Sequence, residues 1–107
     1  MTATARQVHV APALKAYLVD LAETTRRHPS LALGMSPRAT LALQRVSRAR
    51  AAASGRDYAV PDDLKAMAPT VLTHRLLLTP EASIQGVTAR EVVDDVLRHV
   101  PVPSGRR

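Results

Sequence analysis

An arginine lies at the predicted start of a helix in the stretch Gly-Met-Ser-Pro-Arg-Ala-Thr, residues 34–40. Ser36 is a typical N-cap, and Pro37 suits the first helical position, where its missing N–H costs nothing. Arg38 then falls on the first turn, where the helix dipole disfavours an exposed cation by about 0.3 to 1 kcal/mol. The pattern therefore indicates a missing anion, because a negative group at this helix end would make the cation favourable.

The other potentially reactive residues do not suggest catalysis. The four glycines cannot form a phosphate-binding loop or a dinucleotide-binding motif, and the four histidines lack the spacing of metal ligands on one helical face. The acidic pairs Asp62–Asp63 and Asp94–Asp95 point in different directions on predicted helices, which is typical of helix-start and solvated charges. We therefore expect no catalytic residue and no metal site in this chain.

Composition limits the class of protein. The 107 residues suffice for one domain, contain no cysteine and carry a formal net charge of +6. The lack of cysteine is compatible with a reducing cytoplasm, and no stretch resembles a signal peptide or a membrane span. The basic charge is spread along the chain, and two tyrosines without Phe or Trp offer almost no surface for base stacking. We expect a cytoplasmic protein that binds no membrane and is a poor candidate for binding nucleic acid.

Hydrophobic periodicity and capping signals predict about four helices, so the expected fold is an all-α bundle. The expected bounds are 12–27, 37 to just before Gly55, 61 to 74 or 75 with a kink at Pro69, and about 89–99. The flanking regions 1–11 and 101–107 are expected to be an N-terminal linker and a Pro-rich basic tail. Residues 12–100 would then form the helical domain.

The connections between these helices are expected to be irregular. Residues 28–36 read as a loop, and residues 75–86 read as an extended connection with a turn at Pro80. Two short apolar runs, Tyr58–Val60 and Leu76–Leu78, could pair as a minimal two-stranded ribbon.

The second predicted helix has an apolar arc with a charge inside it. On a helical wheel Arg38 and Arg45 lie at the edge of the arc, and Arg50 falls within it. Arg50 must therefore extend outward along its stem or find a partner, which the sequence does not identify. The arc consists of Ala39, Ala42, Leu43, Val46, Ala49 and Ala53.

Four blocks of the sequence together resemble the C-terminal lid domain of the MoxR family of AAA+ ATPases. They are Thr25-Arg26, Gly-Met-Ser-Pro-Arg-Ala at 34–39, Gly-Arg-Asp-Tyr-Ala-Val-Pro-Asp-Asp-Leu at 55–64 and Val-Leu-Thr-His-Arg-Leu at 71–76. The blocks keep the family's order and spacing, and the resemblance extends from about Val8 to the closing Pro-Val-Pro. It implies the small helical lid fold.

The resemblance also implies roles for particular residues. In that family the Ser-Pro-Arg-Ala block is the sensor 2 motif, whose arginine reaches the phosphates of ATP bound in the preceding core domain. Arg38 is then the residue expected to contact ATP, and Gly34, Ser36 and Pro37 are expected to position it.

Three further residues match the family pattern and are secondary candidates. Arg26 is a second basic residue of the pattern, although it is equally suited to a simple interaction with the C-terminal dipole of the first helix. His74 and Arg75 match the family's His-Arg pair, and we expect them to tie the third helix to a neighbouring element or a neighbouring subunit.

For the whole protein the resemblance implies an ATPase that uses ATP with Mg²⁺. Its partners would be the N-terminal AAA+ core domain of the same protein, further copies in a hexameric ring, and proteins with von Willebrand factor type A domains. The implied activity is a chaperone-like remodelling of client complexes.

The chain departs from the family pattern in two respects. Val60 stands where the family usually has a Thr or Ser cap, and the chain contains no phosphate loop and no Walker B acids. We therefore expect the chain alone neither to hydrolyse ATP nor to bind it tightly.

Two other functions remain open from the sequence. The chain could be a free-standing basic helical module that binds nucleic acid through Arg45, Arg48 and Arg50. It could also be a helical adaptor that docks a protein partner through an exposed apolar strip.

Overall fold

The computed structural model describes residues 8–102, and this part of the chain is mainly helical, as predicted. Within residues 8–102 the fold consists of five helices and a two-stranded antiparallel ribbon. In chain order the elements are α1 (Pro12–Arg27), β1 (Leu31–Leu33), α2 (Pro37–Ala53), α3 (Pro61–Leu72), β2 (Leu77–Leu78), α4 (Pro80–Ile84) and α5 (Ala89–His99). None of the helices in residues 8–102 is long and apolar enough to cross a membrane.

The core forms where the apolar stripes of the long helices meet. Helix α1 contacts α2, β1 and α5, while α3 packs between α2 and α5. The predicted stripe of α1 is confirmed, since all six of its residues are buried; they are Leu14, Tyr17, Leu18, Leu21, Ala22 and Thr25. Val8 and Val10, in the segment before α1, are also buried.

Helix α5 has the predicted bounds and the predicted start. Thr88 Oγ1 accepts a hydrogen bond from the Glu91 N–H at 3.1 Å, and Glu91 Oε1 accepts one from the Thr88 N–H at 2.9 Å. This is a complete capping box, which explains why the local sequence predicted the helix correctly.

The ribbon exists, but its predicted pairing is wrong. Leu77–Leu78 pairs antiparallel with Leu31–Leu33, inside the segment expected to be a loop, and not with Tyr58–Val60. Tyr58 instead forms a parallel bridge with His9. Short apolar runs are locally alike, so the packing of the helices that carry them decides which two runs meet.

A short helix, α4, replaces the extended connection that was predicted after β2. Thr79 Oγ1 accepts a hydrogen bond from the Ala82 N–H at 3.1 Å, and Pro80 occupies the first helical position. The helix is followed by Gly86, whose φ of 86° is accessible to glycine. The Thr-Pro-Glu signal was present in the sequence, and it is the same type of start that correctly identified α2.

Helix α2 buries a face that overlaps the predicted arc only at Ala39 and Leu43. Its buried residues are Ala39, Leu43, Ser47 and Ala51, whereas Ala49 and Ala53 of the predicted arc are exposed. Alanine adds little apolar area, so a wheel dominated by alanines does not determine which face turns inward; contacts with α1 and α3 decide this.

The C-terminal end of α2 is confirmed as a glycine cap. Gly55 has a φ of 81°, and its N–H donates to the Ala52 carbonyl at 3.0 Å. The Arg56 N–H donates to the Ala51 carbonyl, also at 3.0 Å, so the chain leaves the helix in a Schellman motif.

Helix α3 ends at Leu72, before the predicted His74 or Arg75, and a turn occupies residues 73–75. Pro69 lies inside the helix, and the Thr73 N–H donates to the Pro69 carbonyl at 3.2 Å. The predicted kink at Pro69 stays a prediction. Proline removes a backbone donor and crowds the preceding turn, which weakens the last turns of a helix.

Candidate functional site

The start of α2 has the geometry that the sequence predicted. Ser36 Oγ accepts a hydrogen bond from the Ala39 N–H at 3.0 Å, and the Ser36 carbonyl accepts one from the Thr40 N–H at 3.0 Å. Pro37 opens the helix, and its first turn contains no acidic side chain. The positive end of the helix dipole is therefore not balanced by a local carboxylate.

Arg38 lies in this first turn and is exposed. Its side chain forms neither an ion pair nor a hydrogen bond with any other residue of the range 8–102. A guanidinium and a helix N-terminus here present positive potential from the same place. Both would interact favourably with one anionic group, and a phosphate suits the planar fork of donors on arginine.

The residue before this cap, Met35, is held by the last turn of α1. Its N–H donates to Thr25 Oγ1 at 2.9 Å, and its carbonyl accepts a hydrogen bond from Arg26 Nε at 3.0 Å. Thr25 Oγ1 in turn donates to the Ala22 carbonyl at 2.7 Å. Because Thr25 and Met35 are both 1% exposed, the bonds of Thr25 to Met35 and to Ala22 are shielded from competing water, whereas the bond from Arg26 is partly buried.

Gly34 lies directly against the same turn of α1. A Cβ atom at this position would stand 2.6 Å from the Arg26 nitrogen and 2.7 Å from the Thr25 carbonyl carbon. Both atoms belong to the backbone of a helix and cannot move aside cheaply. Only glycine therefore allows the loop to approach α1 closely enough for the two hydrogen bonds to Met35.

The sequence did not predict the contact between Arg26 and Met35. Arg26 was expected to interact with the α1 dipole or to be a second basic residue of the site, but its Nε donates to a carbonyl nine positions ahead. The spacing of Thr25-Arg26 and Gly34 in one family pattern was the only signal that could have indicated this contact.

His74 and Arg75 lie in the turn after α3, and both side chains are exposed. Neither forms a hydrogen bond or an ion pair with another residue in the described part of the chain. Their contact with a neighbouring subunit stays a prediction.

Arg50 has a partner that the sequence could not identify. Its Nη1 donates to Asp63 Oδ1 at 2.7 Å, while Arg56 donates from Nη1 to Oδ2 and from Nη2 to Oδ1, each at 2.8 Å. The Val60 N–H also donates to Asp63 Oδ2 at 2.8 Å. This cluster joins the end of α2, the following loop and the start of α3.

Asp63 is fully buried, with 0% of its side chain exposed. Burial alone raises the pKa of a carboxyl group, but hydrogen bonds from Arg56, the Val60 N–H and Arg50 outweigh burial and hold the pKa of Asp63 below its ordinary value. The sequence interpretation of Asp63 as a helix-start charge missed its burial. The carboxylate links α2, the following loop and α3 through these bonds, and it accepts a hydrogen bond from the Val60 N–H at the start of α3.

One of the three cations of the possible nucleic-acid surface on α2 is already bound by Asp63. Arg45 is exposed and Arg48 is half-buried, but Arg50 is already paired with Asp63. Tyr17 is buried, which leaves Tyr58 as the exposed aromatic ring of residues 8–102. These facts disfavour binding of nucleic acid through base stacking and phosphate contacts on α2.

A second polar contact joins the end of α1 to α5. His28 Nε2 lies 2.9 Å from Asp95 Oδ2, and His28 Nδ1 accepts a hydrogen bond from the Ser30 N–H at 3.1 Å. The hydrogen bond from His28 contributes most to lowering the pKa of Asp95. In the described range 8–102 no three His, Cys, Asp or Glu side chains form a cluster that could hold a metal ion.

The chain matches a known family model and several known proteins. The model described as AAA lid domain matches residues 23–96. The chain is 40% identical over 101 residues to the uncharacterized protein YeaC of Bacillus subtilis, covering 94% of this chain and 32% of that protein. It is 36% identical over 100 residues to the chaperone MoxR1 of Mycobacterium tuberculosis, covering 85% of this chain and 26% of that protein.

A solved structure has the same fold. The crystal structure of a candidate ATPase from Cytophaga hutchinsonii superposes with a TM-score of 0.85 at 31% identity, covering 92% of this chain and 32% of that one. The chain thus spans about a third of the length of the proteins that it matches.

Proposed function

Because the chain belongs to the AAA lid domain family and forms the lid of a MoxR-type AAA+ ATPase, we propose that Arg38 is its sensor 2 arginine. One observation carries the proposal. Arg38 is an exposed cation on the first turn of a capped helix that has no acidic residue in that turn. The sensor 2 motif of the family resemblance falls on the same residue, so two independent arguments agree.

The proposed role of Arg38 is to make the position of the lid depend on the nucleotide. ATP bound to an AAA+ core would offer its terminal phosphates as the anion that the start of α2 lacks. The guanidinium would form charge-assisted hydrogen bonds with these oxygens, and the helix dipole would add to the attraction. Loss of the γ-phosphate would remove these bonds and release the lid.

Other parts of the activity would come from outside this chain. An AAA+ core domain would supply the phosphate loop and the Walker B acids and would hold Mg²⁺ with the nucleotide. We propose that the assembled ATPase works in the cytoplasm as a hexameric ring that remodels client complexes, with von Willebrand factor type A proteins as partners. The name of its relative in Mycobacterium tuberculosis, a chaperone, supports the remodelling function.

In the ATPase that combines the core domain with this lid, we expect Arg38→Ala to weaken ATP binding by about tenfold. This is the loss expected for one charge-assisted hydrogen bond of roughly 1.4 kcal/mol. Arg38→Lys should recover little, because an ammonium group lacks the planar fork of a guanidinium. The measurements are the Kd for ATP and the steady-state ATPase rate.

Arg45→Ala is the matched control, since Arg45 is an exposed arginine two turns along the same helix. Its removal should leave both the Kd and the rate unchanged. The melting temperature of the Arg38→Ala lid should stay the same or rise slightly, because the cation lies at an unfavourable helix end. Full activity of Arg38→Lys, together with equal damage from Arg45→Ala, would show that only diffuse positive charge on α2 matters.

The chain by itself should bind Mg²⁺-ATP only at millimolar concentrations and should not hydrolyse it. One arginine and a helix end supply only part of a triphosphate site. In an NMR titration the backbone amide shifts should concentrate at Ser36 and at residues 38–40, and inorganic triphosphate should shift the same amides. Turnover above buffer by a preparation of proven purity would contradict the assignment of the chain as a lid.

A further inference from the structure

The last turn of α1 binds both the backbone N–H and the backbone carbonyl of Met35, the residue just before the N-cap of α2. Met35 donates its N–H to Thr25 and accepts a hydrogen bond at its carbonyl from Arg26. We propose that Thr25 and Arg26 are positioning residues, which fix the place of Arg38 relative to α1. The nucleotide part of this inference rests on the proposed function of Arg38, whereas the positioning part does not.

Little conformational freedom remains between this contact and Arg38. Ser36 is held at φ −79° and ψ 164° by its role as N-cap, and the ring of Pro37 restricts φ to about −65°. The Ala39 N–H is bonded back to Ser36. A fixed Met35 peptide therefore fixes the Cα atom of Arg38, and release of that peptide lets the whole first turn move.

The close approach of Gly34 reinforces this contact from the other side. The Gly34 Cα lies so near the backbone of Thr25 and Arg26 that even a methyl group would overlap it. Steric contact at Gly34 and two hydrogen bonds at Met35 thus hold adjacent residues of the loop against α1. The loop cannot slide along α1 without breaking both kinds of contact.

Arg26 could instead be a second phosphate ligand, but only through the edge formed by its two Nη atoms. Its Nε already donates to the Met35 carbonyl, so the edge formed by Nε and one Nη cannot grip a phosphate in the usual bidentate way. A residue that acts through Arg38 and a residue that contacts the phosphate directly differ in two measurable respects. The first is whether its effect needs Arg38, and the second is whether its effect needs a positive charge.

A double-mutant cycle with Arg26→Ala and Arg38→Ala tests the first difference. The readout is the Kd for the non-hydrolysable ATP analogue AMP-PNP with Mg²⁺, in the ATPase that combines core and lid. We expect Arg26→Ala to weaken binding about threefold to fivefold when Arg38 is present and less than about 1.5-fold when it is absent. Equal factors in both backgrounds would show direct phosphate contact and would overturn the proposal.

Arg26→Gln tests the second difference. The amide nitrogen of glutamine stands the same number of bonds from the backbone as Arg26 Nε, so it can donate to the Met35 carbonyl without carrying charge. The Gln variant should bind AMP-PNP within about twofold of the wild type, whereas Arg26→Met, of similar length but without a donor, should resemble Arg26→Ala. If Gln is as poor as Met, the charge is what matters and the positioning role is wrong.

Thr25 provides a test that does not involve nucleotide. Thr25→Val keeps the shape but removes the acceptor for the Met35 N–H, and Thr25→Ser keeps the acceptor. In the chain alone, Val should shift the Arg38 amide resonance and speed hydrogen exchange at Met35 at least tenfold, while Ser should restore both. Unchanged exchange in Thr25→Val would overturn the positioning role, even if Arg38→Ala weakens nucleotide binding. A normal Kd in Arg38→Ala would instead refute the proposed function and leave the Thr25 result standing.

Discussion

Asp63→Asn should lower the free energy of unfolding of the chain by about 3 kcal/mol, the largest effect that we expect from a single polar substitution. The carboxylate is fully buried and accepts hydrogen bonds from Arg50, Arg56 and the Val60 N–H. Asparagine keeps the size but removes the charge, and its NH₂ group would face the donors of an arginine. The melting temperature should fall by more than about 10 °C in thermal unfolding followed by circular dichroism.

The effect of Asp63→Asn should depend on pH in a defined direction. The pKa of Asp63 is held below its ordinary value in the folded chain, so the carboxylate stabilises the fold fully above the pKa of an unfolded aspartate. This stabilisation is lost as the pH falls through the lower folded pKa. The difference in unfolding free energy between wild type and variant should therefore be constant near neutral pH and shrink in acid.

Asp62→Asn is the matched control, because Asp62 is the adjacent residue in the same first turn and is exposed. It should change the unfolding free energy by no more than about 0.5 kcal/mol, the contribution of an exposed helix-start charge. If the two variants are equally stable, the buried cluster contributes no more than a surface charge and our account of the α2–α3 junction is wrong.

Gly34→Ala should destabilise the chain by about 2 to 3 kcal/mol and also impair the proposed nucleotide response. The added methyl group would lie 2.6 Å from the Arg26 nitrogen and 2.7 Å from the Thr25 carbonyl carbon, so the loop must move away from α1. That movement would stretch or break the hydrogen bonds of Met35 to Thr25 and Arg26. Chemical denaturation measures the first effect, and the Kd for ATP in the ATPase with its core domain measures the second.

Gly55→Ala separates steric contact from backbone strain. Gly55 has a φ of 81°, but a Cβ there would have no atom within 4 Å. The expected cost is about 1 kcal/mol from the left-handed conformation alone, with no change in nucleotide binding. A Gly34→Ala variant as mild as Gly55→Ala would contradict the close packing of the loop on α1.

Much of the helical architecture could be predicted from the sequence because its signals are local. Helix α1 follows from one regular apolar stripe, and α5 follows from the Thr88 and Glu91 capping box. The start of α2 at Pro37 follows in the same way from the Ser36 cap. Each of these signals involves residues a few positions apart, whose interactions do not depend on the rest of the fold. The overlooked helix α4 had such a signal as well.

The candidate site could be predicted in part, for the same reason. Arg38 and its cap are a local pattern, and the family resemblance attached a role to it. The support of this cap by Thr25 and Arg26 could not be derived, because residues nine and ten positions apart meet only after the loop has turned back on α1. The role of Gly34 also depends on which backbone lies beside it.

By itself, then, the sequence determined the ends of most helices, the apolar stripe of α1 and the cation at the start of α2, all of which rest on interactions within a few residues. Only the tertiary structure decided that β2 pairs with β1, that α2 turns Ser47 and Ala51 inward, and that Arg50 meets the buried Asp63. Those outcomes depend on how the helices pack against one another. Along the chain, each of these elements had several possible partners of similar size and polarity. The native partners are the ones that the packed structure brings together, because that packing fills the core and pairs the buried charge of Asp63.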